Sequence, residues 1–300
     1  MKKFLKWTGI VLGTIILVIV GTYTAVYFHT ESRINKTYDI KVAAFDVPTD
    51  QETILQGAHY ASIKACTHCH GPNLAGKIMI DDPALGRMVA PNITKGKGGL
   101  PADFTTEDWL RAIKHGVRKD GKSYFLMPAH ELSTLSDSDL RSILAYCQSV
   151  PPVESNFPAS EIRPLGRILT ALDKIPLLPA ERLDHTKNHT VNVAAGETPE
   201  YGKYLSVGCN NCHHENMQGG EHPVPGKPLV PDISGNSRVA QLSFEEFAKI
   251  LRTGVASDGH KMSPEDMPWK VTANYNDMEL KALHLYLKTV GKNPVVKAKM

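Results

Sequence analysis

Two pentapeptides carry most of the chemistry in this sequence: Cys66-Thr67-His68-Cys69-His70 and Cys209-Asn210-Asn211-Cys212-His213. Two thiols two residues apart match the separation of the vinyl groups of haem, to which thiols add as thioethers. A histidine directly after the second cysteine is then held beneath the iron as proximal ligand. A Cys-x-x-Cys pair has other uses, as a redox dithiol or half a zinc site. Zinc would need the two pairs close together, whereas each opens its own copy of a longer repeated segment. The spacing therefore predicts two covalently attached haem c groups. Cys66, Cys69, Cys209 and Cys212 are the attachment residues, and His70 and His213 are iron ligands.

Each copy also offers a sixth ligand. Met127 follows His70 by 57 residues and Met267 follows His213 by 54, and both precede proline. A thioether is a soft ligand that favours ferrous iron, so His/Met ligation raises the potential. Met262 is the competing choice in the second copy. Methionines also fill cores, the reading adopted for Met217, which matches Leu74. Each proximal histidine needs an acceptor for its other ring nitrogen. The carbonyls of Pro91 and Pro231 are the candidates, on loops where proline has no N–H of its own. Tyr60, Tyr146, Tyr204, Tyr286, Trp109 and Trp269 are expected along haem edges, although packing alone explains them equally well. His115, His130, His222 and His260 read as surface residues, and Cys147, which matches Leu287, as a buried apolar side chain.

The elements that must position these residues also come twice. Pro91-Asn92-Ile93-Thr94 matches Pro231-Asp232-Ile233-Ser234, His115-Gly116-Val117 matches Thr253-Gly254-Val255, and Ser136 to Val150 matches Asn276 to Val290. In each copy a short helix leads into the cysteines. A second helix starts at Thr105 or Ser243 and stops at Gly116 or Gly254. A last one is N-capped by Ser136 or Asn276 and carries apolar positions at helical spacing. Strand patterns are scarce. The Gly- and Pro-rich stretches 71–104 and 214–242 are too long for loops of a compact domain unless they wrap a large prosthetic group. The expected organisation is a membrane anchor over residues 1–28, a polar stalk over 29–50 and a first domain over 51–150. A Pro-rich strap or tether over 151–197 follows, then a second domain over 198–293.

The anchor rests on Trp7 to Phe28, which carries no charged side chain over 22 residues. As a helix it is about 33 Å long, against a hydrocarbon core of about 30 Å. Lys2, Lys3 and Lys6 place its start in the cytoplasm and the remainder on the far, periplasmic side. A cleaved signal peptide is the alternative, but no good cleavage site follows. The chain has 300 residues and a formal net charge of +3. Those three lysines account for the whole excess, so neither a nucleic-acid-binding patch nor an acidic cation store is expected.

With these residues in place, the chain resembles the class I cytochrome c fold, present twice over residues 52–150 and 198–292. The arrangement is similar to bacterial membrane-bound dihaem cytochromes c, and to the cytochrome subunits that accept electrons from periplasmic alcohol and sugar-acid dehydrogenases. Family members usually have glycine after the ligating histidine; Gly71 obeys and His214 departs. The resemblance implies all-α domains and an electron-transfer protein, not itself an enzyme. Its partners would be a dehydrogenase, a quinol oxidase, a terminal oxidase or another cytochrome. The competing reading is a dihaem enzyme of the peroxidase or thiosulfate dehydrogenase type, which needs one open iron.

Overall fold

The computed structural model describes residues 1–223, 227–256 and 258–291; the expected end of the second domain at residue 293 lies outside them. Helix α1 (Lys2–Ile34) is followed by α2 (Gln51–Ile63) and by a single turn, α3 (Cys66–His70). Strands β1 (Lys77–Asp82) and β2 (Gly86–Ala90) come next. They lead to α4 (Thr106–His115), α5 (Ala129–Leu132) and α6 (Asp137–Ser149). The connecting region holds β3 (Glu161–Ile162) and α7 (Pro164–Ala171). The second half contributes α8 (Pro199–Leu205), α9 (Asn210–His213), α10 (Phe244–Thr253), α11 (Trp269–Thr272) and α12 (Asp277–Leu287).

The chain is largely helical, but all-α is corrected. β1 and β2 form an antiparallel hairpin, extended by β3 through Gly86 opposite Ile162. The sequence hides β1 because no face of it is buried, so no alternation is needed, and a register shift between Ile78 and Ile80 would break one. The turn is made locally: the Asp82 carboxylate accepts from the backbone N–H groups of Ala84 and Leu85.

Within each half the first and last helices cross at a glycine. A Cβ placed on Gly57 of α2 would lie 1.8 Å from the Ser142 carbonyl oxygen of α6. One placed on Gly202 of α8 would lie 2.0 Å from that of Ala282 in α12. Both middle helices open with a reciprocal capping box, Thr105 with Asp108 and Ser243 with Glu246. Both end on a left-handed glycine, Gly116 or Gly254. One apolar core runs through both halves, from Tyr60, Trp109 and Leu140 to Phe247, Leu280 and Leu287.

The anchor helix continues six residues past the expected boundary at 28, and residues 29–50 are not a free stalk. Arg33 binds the Glu181 carboxylate at 2.6 Å and the Thr170 carbonyl at 2.7 Å. Tyr38 N–H bonds the Gly121 carbonyl, Arg141 lies over the Phe45 ring, and Val42 and Val47 pack on the core. Among the described residues α1 is the helix long and apolar enough to cross a membrane.

Candidate haem-binding sites

The attachment segments are single helical turns, entered and left by conformations that bend the chain sharply. Ala65 precedes α3 at φ 63°, and Gly71 follows it at φ 81°. Gly76 N–H then bonds the His70 carbonyl, and Leu74, fully buried, accepts from Ile93 N–H at 3.0 Å. The second half repeats this with different residues. Gly219 N–H bonds the His213 carbonyl, and buried Met217 accepts from Ile233 N–H at 2.9 Å. Leu74 and Met217 share the same left-handed backbone, φ 57° and 59°, so Met217 fills core as its match to Leu74 suggested. His214 takes the place of Gly71 at φ 58°. With ψ at 172° this is a conformation that glycine adopts almost alone, so the departure keeps the turn at a cost of about 1–3 kcal/mol of backbone strain.

The proximal histidines are oriented as the proline loops suggested. His70 Nδ1 donates to the Pro91 carbonyl at 2.7 Å, and His213 Nδ1 donates to that of Pro231 at 3.0 Å. With Nδ1 spent, Nε2 is the nitrogen left for a metal. Burial pushes both imidazoles below their ordinary pKa, which keeps them neutral, the form that ligates. The thiols are free. Burial raises all four, Cys66 to about 12 and Cys209 to about 11. A redox dithiol needs the opposite, a thiolate held down by positive charge. Among the described residues no group of three or more His, Cys, Asp or Glu could hold a bare metal ion. Two apolar thiols and one Nε2 donor on a single turn fit a covalently held haem.

Met127 and Met267 occupy equivalent positions, each half-buried against the core. Each carbonyl accepts from the residue two on, Ala129 or Trp269, and each is followed by a proline that opens a four-residue helix. Met262 sits elsewhere. Its N–H bonds the Gly254 carbonyl as Tyr124 N–H bonds that of Gly116, and its own carbonyl holds the Trp269 indole N–H. In the repeat, Met262 thus answers to Tyr124, and Met267 to Met127.

The contacts between the halves were not foreseen. Glu279 of α12 binds His59 of α2 at 2.7 Å. Asp139 of α6 accepts from the Tyr204 hydroxyl of α8, which also accepts from Ser136 N–H. Glu131 and His130, just past Met127, both reach Asn211 inside the second attachment turn. Burial raises the Glu131 carboxyl to about 7. Tyr60 and Tyr204 are both buried at the junction between the halves. His130 is half-buried and no surface residue. His115 is likewise half-buried, its Nδ1 3.1 Å from that of His185. His284, in a helix read as apolar, stacks on Phe247 at 4.5 Å, and burial lowers it to about 4. Cys147 is buried as expected.

Comparison with known proteins bears on the class. Residues 55–147 match the family model described as cytochrome C oxidase, cbb3-type, subunit III. The chain is 26% identical over 266 residues to the fructose dehydrogenase cytochrome subunit of Gluconobacter japonicus, covering 77% of this chain and 51% of that one. It is 26% identical to the alcohol dehydrogenase (quinone) cytochrome c subunit of Gluconobacter oxydans, covering 84% and 58%. It is 25% identical to the gluconate 2-dehydrogenase cytochrome c subunit of Pantoea cypripedii, covering 83% and 62%. The chain thus spans between half and two thirds of the length of these relatives. The chain is thus similar over most of its length to cytochrome c subunits of dehydrogenases, and its two Cys-x-x-Cys-His turns are of the kind that hold haem covalently.

Proposed function

We propose that this chain relays electrons through two haem c groups held in tandem cytochrome c domains, 51–150 and 198–293, on the periplasmic side of the cytoplasmic membrane. The observation that carries this is the repeated donor geometry: in each half a histidine on the same turn as two free thiols gives Nδ1–H to a proline carbonyl. Cys66 and Cys69 hold the first haem, and Cys209 and Cys212 the second. His70 with Met127, and His213 with Met267, would bind the irons. The chemistry each bound group supplies is one-electron exchange between ferric and ferrous iron.

The residues of the chain set the terms of that exchange. The Pro91 and Pro231 carbonyls fix the tautomer and ring plane of the histidines and raise their basicity. The methionine thioethers would bias each site toward the reduced form. With a histidine and a methionine on each, neither iron would offer a place for a substrate, and the matched Met127 and Met267 positions therefore favour the relay over the peroxidase-type reading. The relatives, cytochrome subunits of fructose, alcohol and gluconate dehydrogenases, make a dehydrogenase subunit the favoured electron donor. A quinol oxidase, a terminal oxidase or another cytochrome remains the partner on the other side.

The test is the reduced absorption spectrum of the haem-loaded chain with and without carbon monoxide. The parent should bind carbon monoxide poorly. Met127→Ala and Met267→Ala should each open one haem of the two while leaving it attached, and Met262→Ala should open none. Rapid binding by the unaltered protein would replace the relay with an enzyme that has one open iron.

A further inference from the structure

Helix α7 carries Leu165, Ile168 and Leu169, and its C-cap is Leu172. The spacing i, i+3, i+4, i+7 makes one continuous apolar stripe. Three of its four residues are exposed, Leu165, Ile168 and Leu172 at 42%, 36% and 61%, and Leu169 is half-buried. Single exposed leucines are ordinary on protein surfaces, but a full helical stripe on an eight-residue helix is not a scatter.

The other faces of α7 are committed. Gly166 is pressed against the Leu85 carbonyl, and a Cβ there would lie 2.1 Å from the oxygen. Thr170 is buried and gives its carbonyl to Arg33. Arg167 binds Glu31 at 2.7 Å and lies over the Tyr27 ring at 4.3 Å. The partners Tyr27, Thr30, Glu31 and Arg33 all belong to α1, at the end of its uncharged stretch Trp7 to Phe28. That is where the anchor leaves the hydrocarbon and enters the headgroup layer. An exposed apolar stripe held at that depth meets acyl chains and not bulk water. Arg163 and Lys174 flank it with positive charge, suited to anionic headgroups.

We propose that α7 lies in the membrane interface as a second contact with the phospholipid bilayer, its Leu165-Ile168-Leu172 stripe facing the acyl chains. The occupant follows from continuity with the anchor, on which this inference rests. The consequence is orientation. Leu165 N–H bonds the Ala84 carbonyl and Arg163 N–H that of Leu85, at the tip of the β1–β2 hairpin. β1 in turn starts seven residues after His70. The first attachment turn is thereby held at a fixed attitude to the membrane, where a single anchor helix would let it swing.

The experiment places nitroxide spin labels on the full haem-loaded chain in nanodiscs of phosphatidylethanolamine and phosphatidylglycerol. The label positions are Ile168→Cys, Leu172→Cys, Tyr23→Cys in the anchor and Lys187→Cys on the exposed strap. The unaltered chain serves as the background for buried Cys147. Accessibility to oxygen is compared with accessibility to a water-soluble nickel chelate. The expected result is an oxygen-to-nickel ratio several-fold higher at positions 168 and 172 than at 187, approaching that at 23. An aqueous ratio at 168 and 172 with a lipid-like ratio at 23 would overturn the proposal while leaving the anchor in place. An aqueous ratio at 23 as well would overturn both.

Discussion

The glycine crossings make the sharpest stability prediction, because they are backbone against backbone. A methyl group on Gly57 has to retreat from 1.8 Å to the 3.4 Å at which ordinary van der Waals contact begins, and its neighbour is the Ser142 carbonyl. A carbonyl inside a helix has no rotamer to escape into, so α2 and α6 must part along their length. Overpacking of this kind costs about 1–3 kcal/mol and more where backbone must move. Alanine returns about 1 kcal/mol of helix propensity over glycine. The expected net loss for Gly57→Ala is therefore on the order of 2 kcal/mol, a fall in melting midpoint of about 4–8 °C. Gly202→Ala should behave alike, since its Cβ meets the Ala282 carbonyl at 2.0 Å and the Tyr286 Cβ at 2.8 Å. Thermal unfolding of the haem-loaded chain in detergent, followed by circular dichroism, measures both. Gly9→Ala in α1, with nothing within 4 Å of its Cβ, is the control and should not lower the midpoint. If the Gly57 and Gly202 variants melt with the parent, the close crossing is not how these helices pack.

Two partly buried groups should make stability fall as pH rises, in adjoining windows. The Glu131 carboxyl is raised by burial from 4.5 to about 7. Between those values the folded chain keeps a proton that the unfolded chain has lost, so stability declines with rising pH. Glu131→Gln should flatten that slope in denaturant titrations across the same range. His59 is raised above 6.5 by its bond to Glu279. Its contribution is complete below 6.5 and is lost as pH climbs through the raised value, so His59→Gln should flatten the curve on that alkaline side. Arg33→Ala removes the bonds from α1 to Glu181, Asp173 and the Thr170 carbonyl. It should cost about 2 kcal/mol, and limited proteolysis should then cut faster between residues 173 and 183; an unchanged digest would mean the stalk is held by other contacts.

What the sequence makes legible is whatever is local and repeated. The two attachment turns, the proline acceptors, the capping boxes at Thr105 and Ser243 and the αL glycines at 116 and 254 each depend on residues within about two dozen positions of one another. Their appearance in two copies separates signal from chance. The β1–β2 hairpin was missed because β1 buries no face, so its sequence shows no period of two to pair with the five residues of β2. The continuation of α1 past residue 28 was missed because Glu31 and Arg33 read as solvent charges. Their partners, Arg167, Asp173 and Glu181, lie more than 130 positions away, and no local pattern announces such a pairing.

The junction between the halves shows why the remainder could not be read. Ser136 and Asn276 are legible as N-caps, and Asp139 and Glu279 as the acids of the first turn that follows. Each acid is needed by its own helix, so the sequence gives no reason to assign it a second task. In the folded chain both are buried, and both reach across: Asp139 to Tyr204 of α8, Glu279 to His59 of α2. The same capping position in each copy therefore ties the last helix of one half to the first helix of the other. The copies then diverge where they meet. Glu131 answers to Val271 and His130 to Lys270 by position in the repeat, so only the first half sends a carboxylate and an imidazole onto the other's attachment turn, at Asn211. A duplicated site that is equal inside and unequal at the junction gives its two copies different electrostatic surroundings. The half with the buried carboxyl beside its attachment turn is the one whose surroundings should change with pH near neutrality.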